Sequence, residues 1–185
     1  SSDLQEFRAV WAQFPDRWAV LGLLGVWVAL FQWLGNSTLG YTNTKSLFGW
    51  WYWTMTVNAT NAEGAVEFNR VLNGDEFHAW IIPAVVLGLI WVRRGAILAL
   101  PKGVCWPALG LVLAALVLHF LGYLIQQTRI SVVAFFLGIY GLTGLLWGSG
   151  WLRAVAFPFL LFVFSVPLGP AAEPLTVPRS EEHTS

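Results

Sequence analysis

From Phe77 to Val92 the chain carries no charge except whatever His78 holds, and the run ends at Arg93-Arg94. Its length is at the short end of what crosses a bilayer. Trp80 and Trp91 sit near its two ends, where indole rings settle at membrane–water boundaries. Cations flanking a span are retained in the cytoplasm, so the arginine pair marks the inner end and His78 the outer one. This stretch predicts a membrane protein and orients the remaining spans.

Composition agrees. With 57% hydrophobic and 11% charged residues, and mean hydropathy +0.64, an ordinary soluble domain is excluded. A formal net charge of zero offers no basic face to nucleic acid, so none is expected as a partner. The single cysteine cannot close an intramolecular disulfide. His78, His119 and His183 are dispersed and no glycine-rich phosphate loop follows a strand, so neither a metal site nor a cofactor is expected.

The apolar pattern predicts an all-α fold, a polytopic transmembrane helical bundle of about five spans near 18–34, 77–92, 106–125, 130–147 and 152–168. Residues 1–178 form one integral membrane domain in this reading, led by a short amphipathic segment. The polar stretch 36–76 is a long outer loop. Within it, Phe48 to Val57 is rich in Trp but too short to cross, so it is interfacial or re-entrant. Asn58-Ala59-Thr60 fits a glycosylation sequon, a match too common to carry weight. Gln126 to Arg129 is a short outer turn, which makes spans three and four an antiparallel hairpin. Gly138, Gly141 and Gly144 lie on the fourth span, and Gly144 and Gly148 have the spacing that lets helix backbones approach. Pro158 and Pro167 kink and end the fifth. The N-terminus then faces the cytoplasm and the last residues face outward. Arg93, Arg94 and Lys102 obey the charge rule, whereas Lys45, Arg70 and Arg129 fall outside. Residues 179–185, Arg-Ser-Glu-Glu-His-Thr-Ser, are expected to be a non-native tail, the translation of a sequencing adapter.

In series, these pieces resemble the exosortase/archaeosortase family of membrane-embedded cysteine proteases or transpeptidases. The residues that carry the likeness are Phe77-His78-Ala79, Pro83 and Trp91-Val92-Arg93-Arg94, then Arg153, Phe157-Pro158, Phe159, Phe162, Phe164 and Val166 to Pro170, with Leu175 to Pro178 after them. Phe77 and Ala79 stand where the family has a Ser-His-Gly-like setting. The resemblance implies a multi-pass protein of the prokaryotic cytoplasmic membrane with its active side extracytoplasmic. Its partners are the lipid bilayer and exported proteins bearing a PEP-CTERM-like C-terminal sorting helix. The family's catalytic Cys, Arg and His lie further along, so none is carried onto a residue here, and the chain is expected to be an N-terminal fragment, inactive alone. The rival class is a non-catalytic membrane protein, such as a transporter half or an accessory subunit of polysaccharide export, but no internal repeat supports it.

Two residues are candidates for a substrate site, each with a structural alternative. His78, at the outer end of its span, suits a proton relay or a substrate carboxylate, or else anchors the helix at the interface. Arg129 suits a carboxylate or lipid phosphate, or else snorkels. His119, inside the third span, reads more readily as a hydrogen-bonded helix contact than as a functional group. Cys105 sits on the cytoplasmic side near Lys102, away from the outer face, and reads as structural. Gly148-Ser149-Gly150 lacks the first glycine of a serine-nucleophile turn.

Overall fold

The computed structural model describes residues 2–14, 16–38, 43–56 and 77–166. Its elements are α1 (Ser2–Gln13), α2 (Arg17–Leu34), α3 (Leu47–Thr56), α4 (Phe77–Val92), α5 (Arg94–Leu98), α6 (Pro107–Leu124), α7 (Thr128–Trp147) and α8 (Ser149–Leu161), which tightens into a 3-10 turn at Phe162–Ser165. No strand occurs among the described residues. In hydrocarbon every peptide group must find a partner, and only a helix satisfies them all within one segment. The fold is an all-α membrane bundle. Arg70, the 58–60 sequon, residues 167–178 and the expected foreign tail at 179–185 lie outside the described residues.

Helices α2, α6 and α7 are long and apolar enough to cross a membrane, with 18, 18 and 20 residues. The other two stretches expected to span are shorter apolar helices, Ile81–Val92 and Ser149–Ser165. The fifth span begins at Ser149, a few residues before its expected start, because Gly148 (φ 98°) alone breaks the chain between α7 and α8. An L-residue is strained at that φ; glycine is not. Pro158 lies inside α8 and is buried, so the expected interruption is packed rather than exposed.

Helix α7 is the axis of the bundle. Over half of its span is buried (56%), against 17% for α2 and 22% for α6. Glycines make that possible. A methyl on Gly138 would overlap the Trp27 indole of α2, and one on Gly141 would stand 2.9 Å from Val112 Cγ2 of α6. A methyl on Gly144 would stand 2.8 Å from both Ala108 Cβ of α6 and Leu152 Cδ1 of α8. One glycine face thus receives three helices. Trp27 then donates its Nε1–H to the Phe135 carbonyl at 3.0 Å, fixing α2 to α7.

The two ends of the bundle differ. At one end α1 lies across the bundle: Phe7 stacks on Trp91, and Phe14 meets Trp147 and Trp151 edge-on. Glu6 pairs with Arg94, and Asp16 with Lys102. The N–H groups of Gly103 and Cys105 bond the carbonyls of Trp147 and Gly144. Arg8, Arg17, Arg93, Arg94, Lys102 and Arg153 gather at this basic end, and among the described residues only Lys45 and Arg129 fall at the other.

Candidate functional site

The end opposite α1 is where α2 finishes, α6 turns into α7 and the 3-10 turn follows α8. A polar roof covers it. Asn36, just past α2, is buried and organises that roof. Its Nδ2 donates to the Thr44 carbonyl at 2.6 Å, and its N–H to the Lys45 carbonyl at 2.9 Å. Its Oδ1 accepts from Thr128 Oγ1 at 2.7 Å and from Thr38 Oγ1 at 2.6 Å. Ser37 Oγ donates to the Gly122 carbonyl at 3.2 Å, tying the same strap to the end of α6. Ser46 Oγ donates to Gln32 Oε1 at 2.8 Å and accepts the Gly49 N–H at 3.0 Å, starting α3. The segment after α2 is therefore fixed to both helices of the α6–α7 hairpin. Pairing of this kind offsets the cost of burying polar groups in a membrane protein.

One layer deeper, His119 Nδ1 of α6 lies 3.0 Å from Ser131 Oγ of α7, both buried. The Phe31 ring of α2 packs on the imidazole, with centroids 4.6 Å apart. The expected helix contact at His119 is thus made to a hydroxyl of the neighbouring helix. Helix α3 packs beside them, its Leu47, Trp50 and Trp51 buried, with Phe48 and Trp51 edge-on to Phe135 and Phe136 of α7. It docks on the helices, while Tyr52 and Trp53 stay exposed.

Beside this roof, between α7 and α8, runs an apolar groove of about 470 Å³. Val133, Phe136 and Tyr140 form one wall, and Phe157, Leu160 and Val163 the other. Phe136 stacks on Phe162 with centroids 3.9 Å apart at its floor. Leu160 and Val163 are exposed on the outer surface, so the groove opens sideways, toward lipid rather than along the bundle axis.

Arg129 is the second residue of α7, half-buried at this end, because the helix starts at Thr128 rather than after the turn. His78 is the second residue of α4; its side chain lies outside those described. Helix α4 runs from the 3-10 turn to the basic end, so the topology brings both residues to the roofed end. Cys105 sits before α6 at the opposite end, separated by a helix about 27 Å long. Lys102 pairs with Asp16, and Ser149 opens α8 at that same end as an exposed helix start. No group of His, Cys, Asp and Glu able to hold a metal occurs among the described residues. Sequence reasoning missed Asn36, Thr128 and Ser131. The available signal was the spacing of Thr128, Ser131, Phe135 and Gly138, which puts small polar residues on the buried face of an apolar span.

A glycine-cored helical bundle, with one basic end and one roofed polar end beside an apolar groove, defines a polytopic membrane protein. The family model for transmembrane exosortase (Exosortase_EpsH) matches residues 70–182, and the chain belongs to that family. No curated protein and no solved structure matches the chain.

Proposed function

We propose that this chain receives and positions the C-terminal sorting helix of exported proteins, as part of an exosortase-type cysteine peptidase or transpeptidase. The observation that carries the reading is the α7–α8 groove. It is apolar, opens toward lipid, lies beside the roofed end, and falls entirely within residues 70–182, the region that matches the family. A sorting tail arrives as a transmembrane helix, and such a helix meets a partner through close apolar packing within the bilayer. The cleavage motif preceding that helix would stand at the roofed end, near Arg129 and the start of α4.

In the chemistry proposed for the complete enzyme, a thiolate attacks the carbonyl carbon of the scissile peptide bond. The tail leaves as a protonated amine, and the resulting thioester passes to water or to an amine acceptor. Cys105 has no part in this, being at the far end. The excess of cations at the α1 end supports a cytoplasmic assignment for it, and an extracytoplasmic one for the roof.

A photo-crosslinking amino acid tests the groove. Introduced at Leu160 or Val163 in the membrane-embedded chain, it is expected to form adducts with a co-expressed protein carrying a sorting helix. At Leu113, which is exposed on α6 (54%), it is expected to form none. Equal adduct yields at Leu113 and Leu160, or adducts insensitive to deletion of the sorting helix, would overturn the proposal.

A further inference from the structure

A second cavity, of about 320 Å³, lies at the basic end, enclosed by α1, α2, the α4–α5 junction, α7 and α8. Its walls are carbon: Leu24 of α2, Ile90 of α4 and Val155 of α8 line it, and Trp11 of α1 and Phe14 just past that helix close one side. Arg94 is its one charged lining residue. The guanidinium of Arg94 stands 4.4 Å from the Trp91 ring centroid, donates to the Trp91 carbonyl at 2.9 Å and pairs with Glu6. Arg17 reaches the same wall, its Nη1 donating to the Trp11 carbonyl at 3.3 Å. Trp151 also lines the cavity, and its buried Nε1–H has no acceptor among the described residues.

The volume selects the occupant. It is at the low end of the roughly 300–1,000 Å³ of small-molecule sites, and a helix about 10 Å across does not fit in it. A flexible acyl chain does. The charge selects the headgroup, because six described cations gather at this end, and Glu6 and Asp16 pair with two of them. Basic pockets between membrane helices take anionic lipid headgroups by this pairing.

We propose that the cavity holds one anionic glycerophospholipid, an acyl chain between α2, α4 and α8 and its phosphate on Arg94, with Glu6 competing for the same guanidinium. Helix α1 is then the wall that the lipid and Glu6 share. The inference is independent of the sorting reading, since it concerns the opposite end of the bundle and requires no substrate.

The test uses the purified full chain in detergent, with palmitoyl-oleoyl phosphatidylglycerol or the matching phosphatidylcholine added, read by native mass spectrometry. One phosphatidylglycerol is expected to stay bound after annular lipid is stripped, at least about fivefold over phosphatidylcholine. Arg94→Gln is expected to abolish that preference. Ile90→Trp, which fills the cavity, is expected to lower retention of both lipids by about tenfold. Glu6→Gln separates lipid binding from a simple strap role for the ion pair: it is expected to keep or raise phosphatidylglycerol retention. Equal retention of the two lipids by the wild type, a Glu6→Gln variant that falls with Arg94→Gln, or full retention in Ile90→Trp would each overturn the proposal. A protein that retains no lipid but copurifies with a second polypeptide lost in Ile90→Trp would also overturn it.

Discussion

His119 Nδ1 and Ser131 Oγ lie 3.0 Å apart across the α6–α7 interface, both buried, with Phe31 of α2 packed on the imidazole. Either ring tautomer keeps this bond, because a hydroxyl both donates and accepts. Removing the hydroxyl strands an imidazole nitrogen where water does not reach it. Ser131→Ala should therefore lose about 1–2 kcal/mol, within the range for a stranded buried polar group and near the upper end measured between membrane helices. A double-mutant cycle with His119→Leu, read by denaturant titration in mixed micelles, should give a coupling of about 0.5–1.5 kcal/mol. Additive single-variant effects would mean that the contact contributes nothing.

Gly138 is held against the Trp27 indole, and Trp27 is held in turn by its bond to the Phe135 carbonyl. Gly138→Ala cannot be absorbed by a small shift, since the added methyl overlaps the ring beside the Nε1–H that its hydrogen bond fixes. The expected cost is about 1–3 kcal/mol for overpacking, with about 1 kcal/mol more if the indole hydrogen bond breaks. Gly22→Ala is the control, because nothing stands within 4 Å of its new methyl. Thermal melts in detergent should separate the two by several degrees. Indistinguishable melts would mean that α2 does not seat on α7 through this glycine.

Much of this fold was legible because a bilayer leaves the chain few options. The runs at 18–34, 106–125 and 130–147 became helices within a few residues of their expected limits, since hydrocarbon enforces helicity whatever the local propensity. Gly144 was legible too, as spacing, and Ala108 and Leu152 are what it admits. The roof was not legible. Asn36 and Thr128 are 92 positions apart and read as separate loop residues; only the docking of α2 beside the α6–α7 hairpin makes them a pair. The groove escaped for a related reason. Its walls, Phe136 and Leu160, look like any lipid-facing residues until the bend at Gly148 folds α8 back along α7.

The Asn36 amide oxygen accepts from Thr128 and Thr38, while its NH₂ donates to the Thr44 carbonyl. Thr128→Val removes one donor at nearly constant volume and leaves the amide oxygen partly served, so a loss of about 1 kcal/mol is expected. Asn36→Leu removes the hub and leaves the Thr128 hydroxyl and Thr44 carbonyl to find other partners, and should lose about 2–4 kcal/mol for several stranded groups together. Limited proteolysis gives a second readout. Cleavage near Asn43, which is exposed, should accelerate in Asn36→Leu well before the bundle unfolds. A cleavage rate equal to that of the wild type would mean that the strap is held by its apolar neighbours alone.

In the proposed sorting function, sidedness decides which end would meet an exported substrate, and the two ends offer a direct measurement. Gly95 begins the second turn past Trp91, is exposed, and has nothing within 4 Å of a new side chain; Asn43 is exposed beside the roof. Six described cations at the α1 end against two at the roof favour a cytoplasmic α1 end. With Cys105→Ser removing the native thiol, Gly95→Cys should react with a membrane-impermeant maleimide only after the cells are opened. Asn43→Cys should react in intact cells. The Arg129 exception sharpens the test, because a short turn bearing a cation is where the charge rule is most apt to reverse a hairpin. Labelling of Gly95→Cys in intact cells, with Asn43→Cys protected, would invert the bundle. The groove and roof would then face the cytoplasmic leaflet, where no exported tail is processed, and the sorting reading would fall with them. The lipid cavity beside Arg94 would survive that result, since its carbon walls and its cation are the same on either side.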